Sequence, residues 1–241
     1  MNPSGETSVK DIALSNSGAR HVLEDAGIDY CCGGGKSLRE ACSNANISPE
    51  QLLWRLAQNS QKSLPEESQW TSAPLADLTK HIREGHHQYV RDSIPRLRAL
   101  LAKIREKHGN KHRELGEIEK LFGDIAREML AHMQKEEQIL FPFIDALERA
   151  ANGEGTIEAP FFQTVRNPIY SMMKEHDDAG ELLRQIRVLT QGYETPGDAC
   201  ASYQAAYQDL AAFESDLHLH VHLENNILFP RAVELEGTVA S

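Results

Sequence analysis

The sequence predicts an all-α fold, in which a small helical N-terminal domain precedes an up-down-up-down bundle of four helices. Polar segments rich in glycine and proline separate four long segments that lack the alternation of β-strands. These long segments carry apolar residues at helical steps of three and four. Short loops between long helices favour antiparallel neighbours, as in a bundle.

The polar segments rich in glycine and proline also set the expected domain boundaries. The polar segment 58–69 is interpreted as a linker. We therefore expect an N-terminal domain over residues 1–65, with a Cys31-Cys32 turn, and the bundle over residues 72–241. Ser72-Ala73-Pro74 is typical of a helix start, because proline is favoured in the first turn. The loops of the bundle are predicted at 108–114, 152–160 and 191–198.

Composition limits the classes of function. The chain has 241 residues, of which 40% are hydrophobic, enough for a sizeable core. Its formal net charge of -11 disfavours a nucleic-acid partner, because an acidic surface repels phosphates. The sequence has neither an apolar stretch of membrane-spanning length nor a secretory signal, so we expect a cytoplasmic protein with reduced thiols. The four cysteines do not form two C-x-x-C pairs, so a structural zinc site is not indicated.

Histidine and glutamate interrupt apolar seams in three of the long segments. The seam of the second segment is Ile118, Phe122, Ile125, Met129, His132, Glu136, Ile139 and Phe143. That of the third is Phe162, Val165, Ile169, Met172, His176, Ala179, Leu183 and Ile186. That of the fourth is Leu210, Phe213, Leu217, His220, Glu224 and Ile227. Burying imidazole and carboxylate groups is costly unless something pairs them.

An internal repeat carries the chemistry. HMQKEEQILFP from His132 and HVHLENNILFP from His220 both read H-x-x-x-E followed by I-L-F-P, at an offset of 88 residues. His176 precedes His220 by 44 residues and His87 precedes His132 by 45. Each half of the bundle therefore offers one histidine on one helix and H-x-x-x-E on the next.

This spacing predicts a metal centre with two ions. Residues four apart share a helix face, about 6 Å apart along the axis. Histidine with carboxylate suits iron, and also manganese or zinc. If each ion takes about six ligands, four histidines and two bridging glutamates leave places for an oxo or hydroxo bridge and for exogenous ligands.

Some assignments stay open at this level. A single buried histidine is more often structural than a ligand, and H-x-x-x-E alone fits a surface pair, so the matched repeat carries the prediction. Helical angles along the first segment favour His86 over His87 as the inward residue. His218 and His222, on the opposite face of the fourth segment, are interpreted as solvated or as supports of the ligands.

The sequence resembles the Repair of Iron Centers family of di-iron, hemerythrin-like proteins with an ScdA-type N-terminal domain. The resemblance covers nearly the whole chain and is carried by DYCCGGGKSL (29–38), SAPLADLTKHI (72–82), HMQKEEQILFP (132–142), KEHDDAGELL (174–183) and HLENNILFPRA (222–232). It implies a hemerythrin-like bundle, two iron ions and the ligands His87, His132, Glu136, His176, His220 and Glu224, with the glutamates as bridges. Ordinary hemerythrins use five histidines, and no fifth is evident here at an inward position.

The resemblance also implies repair of iron–sulfur clusters damaged by nitrosative or oxidative stress, through donation of iron. A protein that binds or reduces nitric oxide, and a hemerythrin-like sensor of O2 or NO, are alternatives that use the same site. The expected partners are damaged iron–sulfur proteins and nitric oxide or O2 as small ligands, with a homodimer as a further option and neither nucleic acid nor membrane. No nucleophilic triad or phosphate-binding loop is present, so the question of an enzyme stays open.

The cysteines and Glu175 are secondary candidates. Adjacent cysteines bind one metal poorly, so Cys31-Cys32 is either a plain turn or, as the resemblance suggests, a thiol pair for redox chemistry or iron transfer. Glu175 is either solvated or orients a ligand. Cys42 and Cys200 are interpreted as core fillers. The run Gly33-Gly34-Gly35 is one residue longer than the family's usual run.

Overall fold

The computed structural model describes residues 3–15, 17–31, 33–59, 69–158 and 160–239. Within these ranges the regular elements are helical, apart from one isolated bridge between Ser8 and Ser37, which confirms the all-α prediction. Most of the predicted linker lies outside the described residues. The N-terminal helices are α1 (Val9–Ser15), α2 (Ser17–Asp25), α3 (Leu38–Ala45) and α4 (Pro49–Asn59).

Four long helices form the up-down-up-down bundle, and three of them contain a π-helical turn. Helix α5 comprises Leu75–His81, the π-helical turn Ile82–His87, and Gln88–His108. Helix α6 comprises Glu114–Lys135, the π-helical turn Glu136–Leu140, and Phe141–Ala151. Helix α7 is Arg166–Leu189, and α8 comprises Ala201–Leu223, the π-helical turn Glu224–Leu228, and Phe229–Val239. Of the described helices, none combines the length and apolarity needed to cross a bilayer.

Two of the bundle helices begin under the same kind of cap. The Glu148 carboxylate of α6 accepts hydrogen bonds from the backbone N–H groups of Leu75 and Ala76, at 2.6 and 2.9 Å. Glu236 of α8 likewise accepts a bond from the N–H of Val165, at 2.7 Å, where α7 begins. Each carboxylate satisfies free N–H groups and complements the helix dipole. The two glutamates are 88 residues apart, so the sequence repeat extends to the helix caps.

The core divides into two apolar clusters on either side of a polar layer. One cluster, which the N-terminal helices share, includes Leu23, Leu52, Leu97, Phe122, Leu183 and Phe213. The other includes Leu78, Ile144, Val165, Met172, Leu228 and Phe229. In α7, for example, Met172 belongs to one cluster and Ala179 to the other, with His176 between them.

The π-helical turns change which residues face the core. The predicted seam places Ile139 and Phe143 inward, but Ile139 is 37% exposed and Phe143 is only half-buried. Leu140 and Ile144, one position later, are buried instead. A π-helical turn holds an extra residue and so shifts the phase of the helix that follows. The seam prediction for α6 is therefore wrong beyond the Glu136–Leu140 turn.

Candidate metal centre

Four histidines, one from each bundle helix, converge with their Nε2 atoms on the polar layer. Nε2 of His132 lies 3.0 Å from Nε2 of His176, and Nε2 of His87 lies 3.2 Å from Nε2 of His220. All four side chains are at most 1% exposed. The layer is therefore closed off from bulk water.

Two fully buried glutamates lie between the histidine pairs. Oε2 of Glu136 lies 3.4 Å from Nε2 of His87 and 3.3 Å from Nε2 of His132. Glu224 makes the same two kinds of contact with the remaining histidines, at 3.0 and 3.2 Å. Each carboxylate thus contacts one histidine of each pair.

The six side chains form two overlapping groups that could each hold a cation. One group comprises His87, Glu136, His220 and Glu224, and the other comprises His132, Glu136, His176 and Glu224. Within each group the ligand atoms lie within 4.8 Å of one another. Both glutamates belong to both groups, which is what bridging of two ions by carboxylates requires.

Each π-helical turn begins or ends at one of these residues. The turn Ile82–His87 ends at His87, and the other two turns begin at Glu136 and Glu224. Such turns re-aim side chains and are frequent at functional sites. They also explain why helical angles, which assume 3.6 residues per turn, favoured His86 over His87, although both side chains are buried. The structure brings His87, and not His86, into the ligand groups.

The residues present fit a metal centre. Both carboxylate oxygens of Glu136, and Oε2 of Glu224, are buried without a well-directed hydrogen bond to any described residue. Buried charged groups require a partner. A cation between the carboxylates and the facing imidazole nitrogens would supply one. The donor set of histidine and carboxylate, without thiolate, is the kind that non-heme iron accepts.

In the first half of the bundle, charged side chains hold the outer nitrogens of the histidines. Nδ1 of His87 lies 2.7 Å from Oε1 of Glu137, which also accepts a 2.8 Å bond from Arg91. Nδ1 of His132 lies 2.9 Å from Oε2 of Glu175, whose other oxygen pairs with Lys135. Carboxylates on the outer nitrogen fix the tautomer that presents Nε2 to a metal.

In the second half the outer partners are different. Nδ1 of His176 lies 3.0 Å from Oδ1 of Asn225. Nδ1 of His220 has no hydrogen-bond partner among the described residues. Glu137 and Asn225 were not predicted as partners of the ligands. Each directly follows the glutamate of the repeat, and this matching position could have indicated them.

His86 is a fifth inward histidine, contrary to expectation. It is buried, its Nδ1 lies 2.9 Å from Oδ1 of Asp216, and its ring stacks on that of His220 at 5.7 Å between centroids. It belongs to neither ligand group. His86 therefore supports a neighbouring ring by packing.

The carboxylates control the charge of the layer when no metal is bound. Burial opposes protonation of His132, but the neighbouring carboxylates, Glu136 foremost, outweigh it and raise its pKa to about 10. Burial and the Glu224 charge raise the pKa of Glu136, but the imidazoles of His132 and His87 lower it by a larger amount. The net shift of the Glu136 pKa is therefore downward. The hydrogen bond to His132 holds the pKa of Glu175 at about 2. In the metal-free protein the His132 imidazole therefore holds a proton that a metal would have to displace.

A surface cavity reaches the layer beside Glu175. It has a volume of about 220 Å³, and His132, Lys135, Glu175 and Asp178 are among its lining residues. Glu175 and Lys135 are partly exposed, whereas His132 is buried. The Glu175–Lys135 pair therefore separates His132 from solvent.

The cysteine turn packs against α8 beside the site. Asp29 accepts hydrogen bonds from the N–H of Cys31 at 2.9 Å and from the N–H of Gly33 at 2.8 Å, and Cys31 is buried. A Cβ at Gly34 would lie 2.5 Å from the carbonyl oxygen of Tyr30, so the tight turn requires glycine there.

The turn covers the face of α8 that carries His218 and His222, which were expected to be solvated or to support the ligands. His222 is 1% exposed, its ring meets the Tyr30 ring edge-on at 5.4 Å, and burial, with help from Arg20, lowers its pKa to about 3. The interpretation of His222 as solvated is therefore wrong, because the N-terminal helices bury it. His218 is partly buried and also meets Tyr30 edge-on.

The remaining cysteines have different environments. Cys32 lies outside the described residues. Cys42 is fully buried, as expected of a core filler. Cys200 is only half-buried, and its Sγ lies 3.3 Å from Nε2 of His108. Cys200 therefore packs at the edge of the larger apolar cluster and not inside it.

Two family profiles match the chain. The Hemerythrin HHE cation binding domain matches residues 80–232, which contain all six side chains of the two ligand groups. A domain described as of unknown function, DUF542, matches residues 5–60, which contain the cysteine turn.

Curated relatives match over most of their length. The chain is 34% identical over 237 residues to an "Iron-sulfur cluster repair protein YtfE" of Musicola paradisiaca, covering 96% of this chain and 98% of the relative. It is 35% identical over 223 residues to the protein of the same name from Citrobacter koseri, covering 92% and 94%. A Salmonella newport relative of that name is 34% identical over 224 residues, with the same coverage.

Proposed function

This chain belongs to the Repair of Iron Centers family of hemerythrin-like di-iron proteins, and on that premise we propose that it repairs iron–sulfur clusters damaged by nitrosative or oxidative stress. One observation carries the proposal. Two buried ligand groups share both of their glutamates, in a chain whose relatives are named for cluster repair.

A hemerythrin HHE domain binds a di-iron centre. We propose that four histidines and two glutamates of this chain hold the two irons, with the glutamates as bridges. The ligands in this proposal are His87, His132, Glu136, His176, His220 and Glu224. Glu137, Glu175 and Asn225 keep three of the imidazoles oriented, because each lies on an outer nitrogen.

Donation of iron to the damaged protein is the form of repair that the site supports best. The proposed ligands are imidazoles and carboxylates, which release iron more readily than a cage of thiolates. At the cavity beside Glu175, the Glu175–Lys135 pair separates the layer from solvent, so movement of this pair would open a short path for iron. The iron itself is then the substrate that this protein delivers.

The test uses a dehydratase whose iron–sulfur cluster has been destroyed with nitric oxide or peroxide. Incubation with the iron-loaded protein should restore more dehydratase activity than an equal amount of free ferrous iron. Glu224→Ala, which lacks one proposed bridge, should restore no more than free iron. Equal recovery with the protein and with free iron would refute donation.

The same centre is also chemically suited to nitric oxide. Anaerobic titration of the diferrous protein with nitric oxide distinguishes the two functions. Cluster repair predicts that nitrosyl spectra, if they form, do so without steady production of nitrous oxide. Sustained nitrous oxide release would instead favour nitric oxide reduction as the primary function.

Several finer expectations stay predictions. They are a division into domains over 1–65 and 72–241, a cytoplasmic location, O2 as a small ligand, a homodimer, and a thiol role for Cys31 and Cys32. Measurement of mass in solution and alkylation of the thiols in the iron-loaded protein test the last two.

A further inference from the structure

One side chain connects the cysteine turn to a proposed iron ligand. Nδ2 of Asn225 donates a 3.3 Å hydrogen bond to the carbonyl oxygen of Cys31, and Oδ1 of the same amide lies 3.0 Å from Nδ1 of His176. Asn225 is the second residue of the Glu224–Leu228 turn. The N-terminal helices and the metal layer therefore meet at one amide.

The Cys31 carbonyl fixes the direction of this amide. A carbonyl oxygen only accepts, so the NH2 group of Asn225 must face Cys31 and its Oδ1 must face His176. His176 must then carry its proton on Nδ1, which leaves the Nε2 lone pair free for the metal. If the amide turned over, its NH2 group would face Nδ1 and favour the other tautomer.

We propose that Asn225 is a positioning residue through which the seating of the Tyr30–Cys31 turn on the bundle controls how firmly His176 holds iron. With the turn seated, the amide is fixed and His176 presents Nε2. When the turn loses its contact with Asn225, the amide rotates freely and His176 binds iron less firmly. The inference rests on the proposed function in one respect. A damaged iron–sulfur protein that binds the cysteine turn would weaken the binding of the iron that it then receives.

The first half of the bundle has no such dependence. At the matching position of the repeat stands Glu137, whose carboxylate can only accept from His87 whichever way it turns. Its fixed partner is Arg91 of α5, within the bundle itself. Among the described residues, His176 of the second half is therefore the one proposed ligand whose orientation depends on a contact with the N-terminal domain.

The neighbouring residue offers a matched control. Nδ2 of Asn226 lies 3.3 Å from the carbonyl oxygen of Tyr30 and 2.9 Å from Nδ1 of His222, so this side chain holds the turn without contacting a proposed ligand. Asn226→Ala should loosen the turn and act on His176 only through Asn225. Asn225→Ala should act on His176 directly.

The experiment is a double-mutant cycle on the full-length iron-loaded protein, measuring the rate of iron release to a chelator. Asn225→Ala should raise the rate about tenfold or more, the usual effect of losing an outer partner of a metal ligand. Asn226→Ala should raise it less in the wild-type background, and not at all in the Asn225→Ala background. Wild-type release by Asn225→Ala, or independent effects of the two changes, would overturn the proposal.

Two further measurements separate positioning from a general loss of structure. Asn225→Asp keeps an acceptor for His176 but repels the Cys31 carbonyl, so it should keep the wild-type iron spectrum while the turn loosens. Hydrogen exchange in the metal-free protein should rise over 29–34 in all three variants. A shifted spectrum in Asn225→Asp, or unchanged exchange in that variant, would count against the proposal. None of these readouts requires cluster repair, so failure of the repair assay would leave them interpretable.

Discussion

The two halves of the bundle have the same helix caps and ligand spacing, but different residues contact the outer nitrogens of their histidines. In both, a glutamate caps a helix that carries a single proposed ligand, a histidine, and the next helix provides H-x-x-x-E at a π-helical turn. The caps are Glu148 and Glu236, at the offset of the ligand repeat. Around the ligands, however, the first half uses the carboxylates Glu137 and Glu175, whereas the second uses one amide and leaves His220 Nδ1 without a described partner.

This difference follows from what lies against each half. The carboxylates that hold the histidines of the first half, Glu137 of α6 and Glu175 of α7, pair with Arg91 and Lys135 and are partly exposed, where charges are solvated. The second half lies under the cysteine turn, where a further carboxylate would be buried at a high cost in free energy. The metal layer thus keeps its ligands in both halves, while the surroundings select the outer partners.

Removing either proposed bridging glutamate should affect both halves equally, because both irons should be lost. We expect Glu136→Ala and Glu224→Ala to lose both irons, because each glutamate belongs to both ligand groups. The loss of affinity should exceed the about 100-fold that outer partners can reach. Iron content by elemental analysis of purified protein is the measurement, with Asp177→Asn, an exposed change beside His176, as control. One iron retained in either variant would contradict the bridging role.

Removing either carboxylate that holds a histidine of the first half should weaken iron binding without abolishing it. Glu137→Ala and Glu175→Ala should each weaken iron binding by about 10- to 100-fold, since each removes the acceptor that orients a histidine. Competition with a calibrated chelator measures this effect. Asp177→Asn should bind as the wild type does, and an equal loss in this control would show that only net charge matters.

Acidification should weaken iron binding through the histidines of the first half. The pKa of His132 is raised to about 10 in the metal-free protein, so this imidazole is protonated near pH 7 and iron must displace its proton. Burial opposes protonation of His87, but the Glu136 carboxylate outweighs it and raises the pKa of His87 as well. Affinity should therefore fall as pH falls, about tenfold per pH unit for each displaced proton. Chelator competition between about pH 8 and about pH 6 tests the slope, and a flat profile would refute this view.

The smallest effect concerns the two adjacent histidines of α5. His86→Ala should keep both irons and lower the free energy of unfolding by about 1–3 kcal/mol, because a buried ring and its bond to Asp216 are lost. His87→Ala should instead lose iron. Urea unfolding of the metal-free proteins, with elemental analysis of the loaded ones, distinguishes them. Loss of iron in His86→Ala would reverse the assignment.

The sequence by itself determined the helical bundle and the chemistry of the polar layer. The loop predicted at 152–160 instead extends to Val165, so Phe162 of the predicted third seam lies before α7. Helical periodicity fixes which residues of an element share a face, and a repeat at a fixed offset implies two equivalent units. His132, Glu136, His176, His220 and Glu224 could all be found this way. Read one residue further, the repeat would also have pointed to Glu137 and Asn225.

The tertiary structure alone decided the phase of the helices and the contacts across them. Periodicity assumes a uniform helix, and the π-helical turns break that assumption at His87 and after Glu136. The burial of His222 and the link from Cys31 to His176 depend on how the N-terminal helices dock, since these residues lie far apart in the chain. No local pattern encodes such contacts, because docking depends on the surfaces that the completed bundle presents.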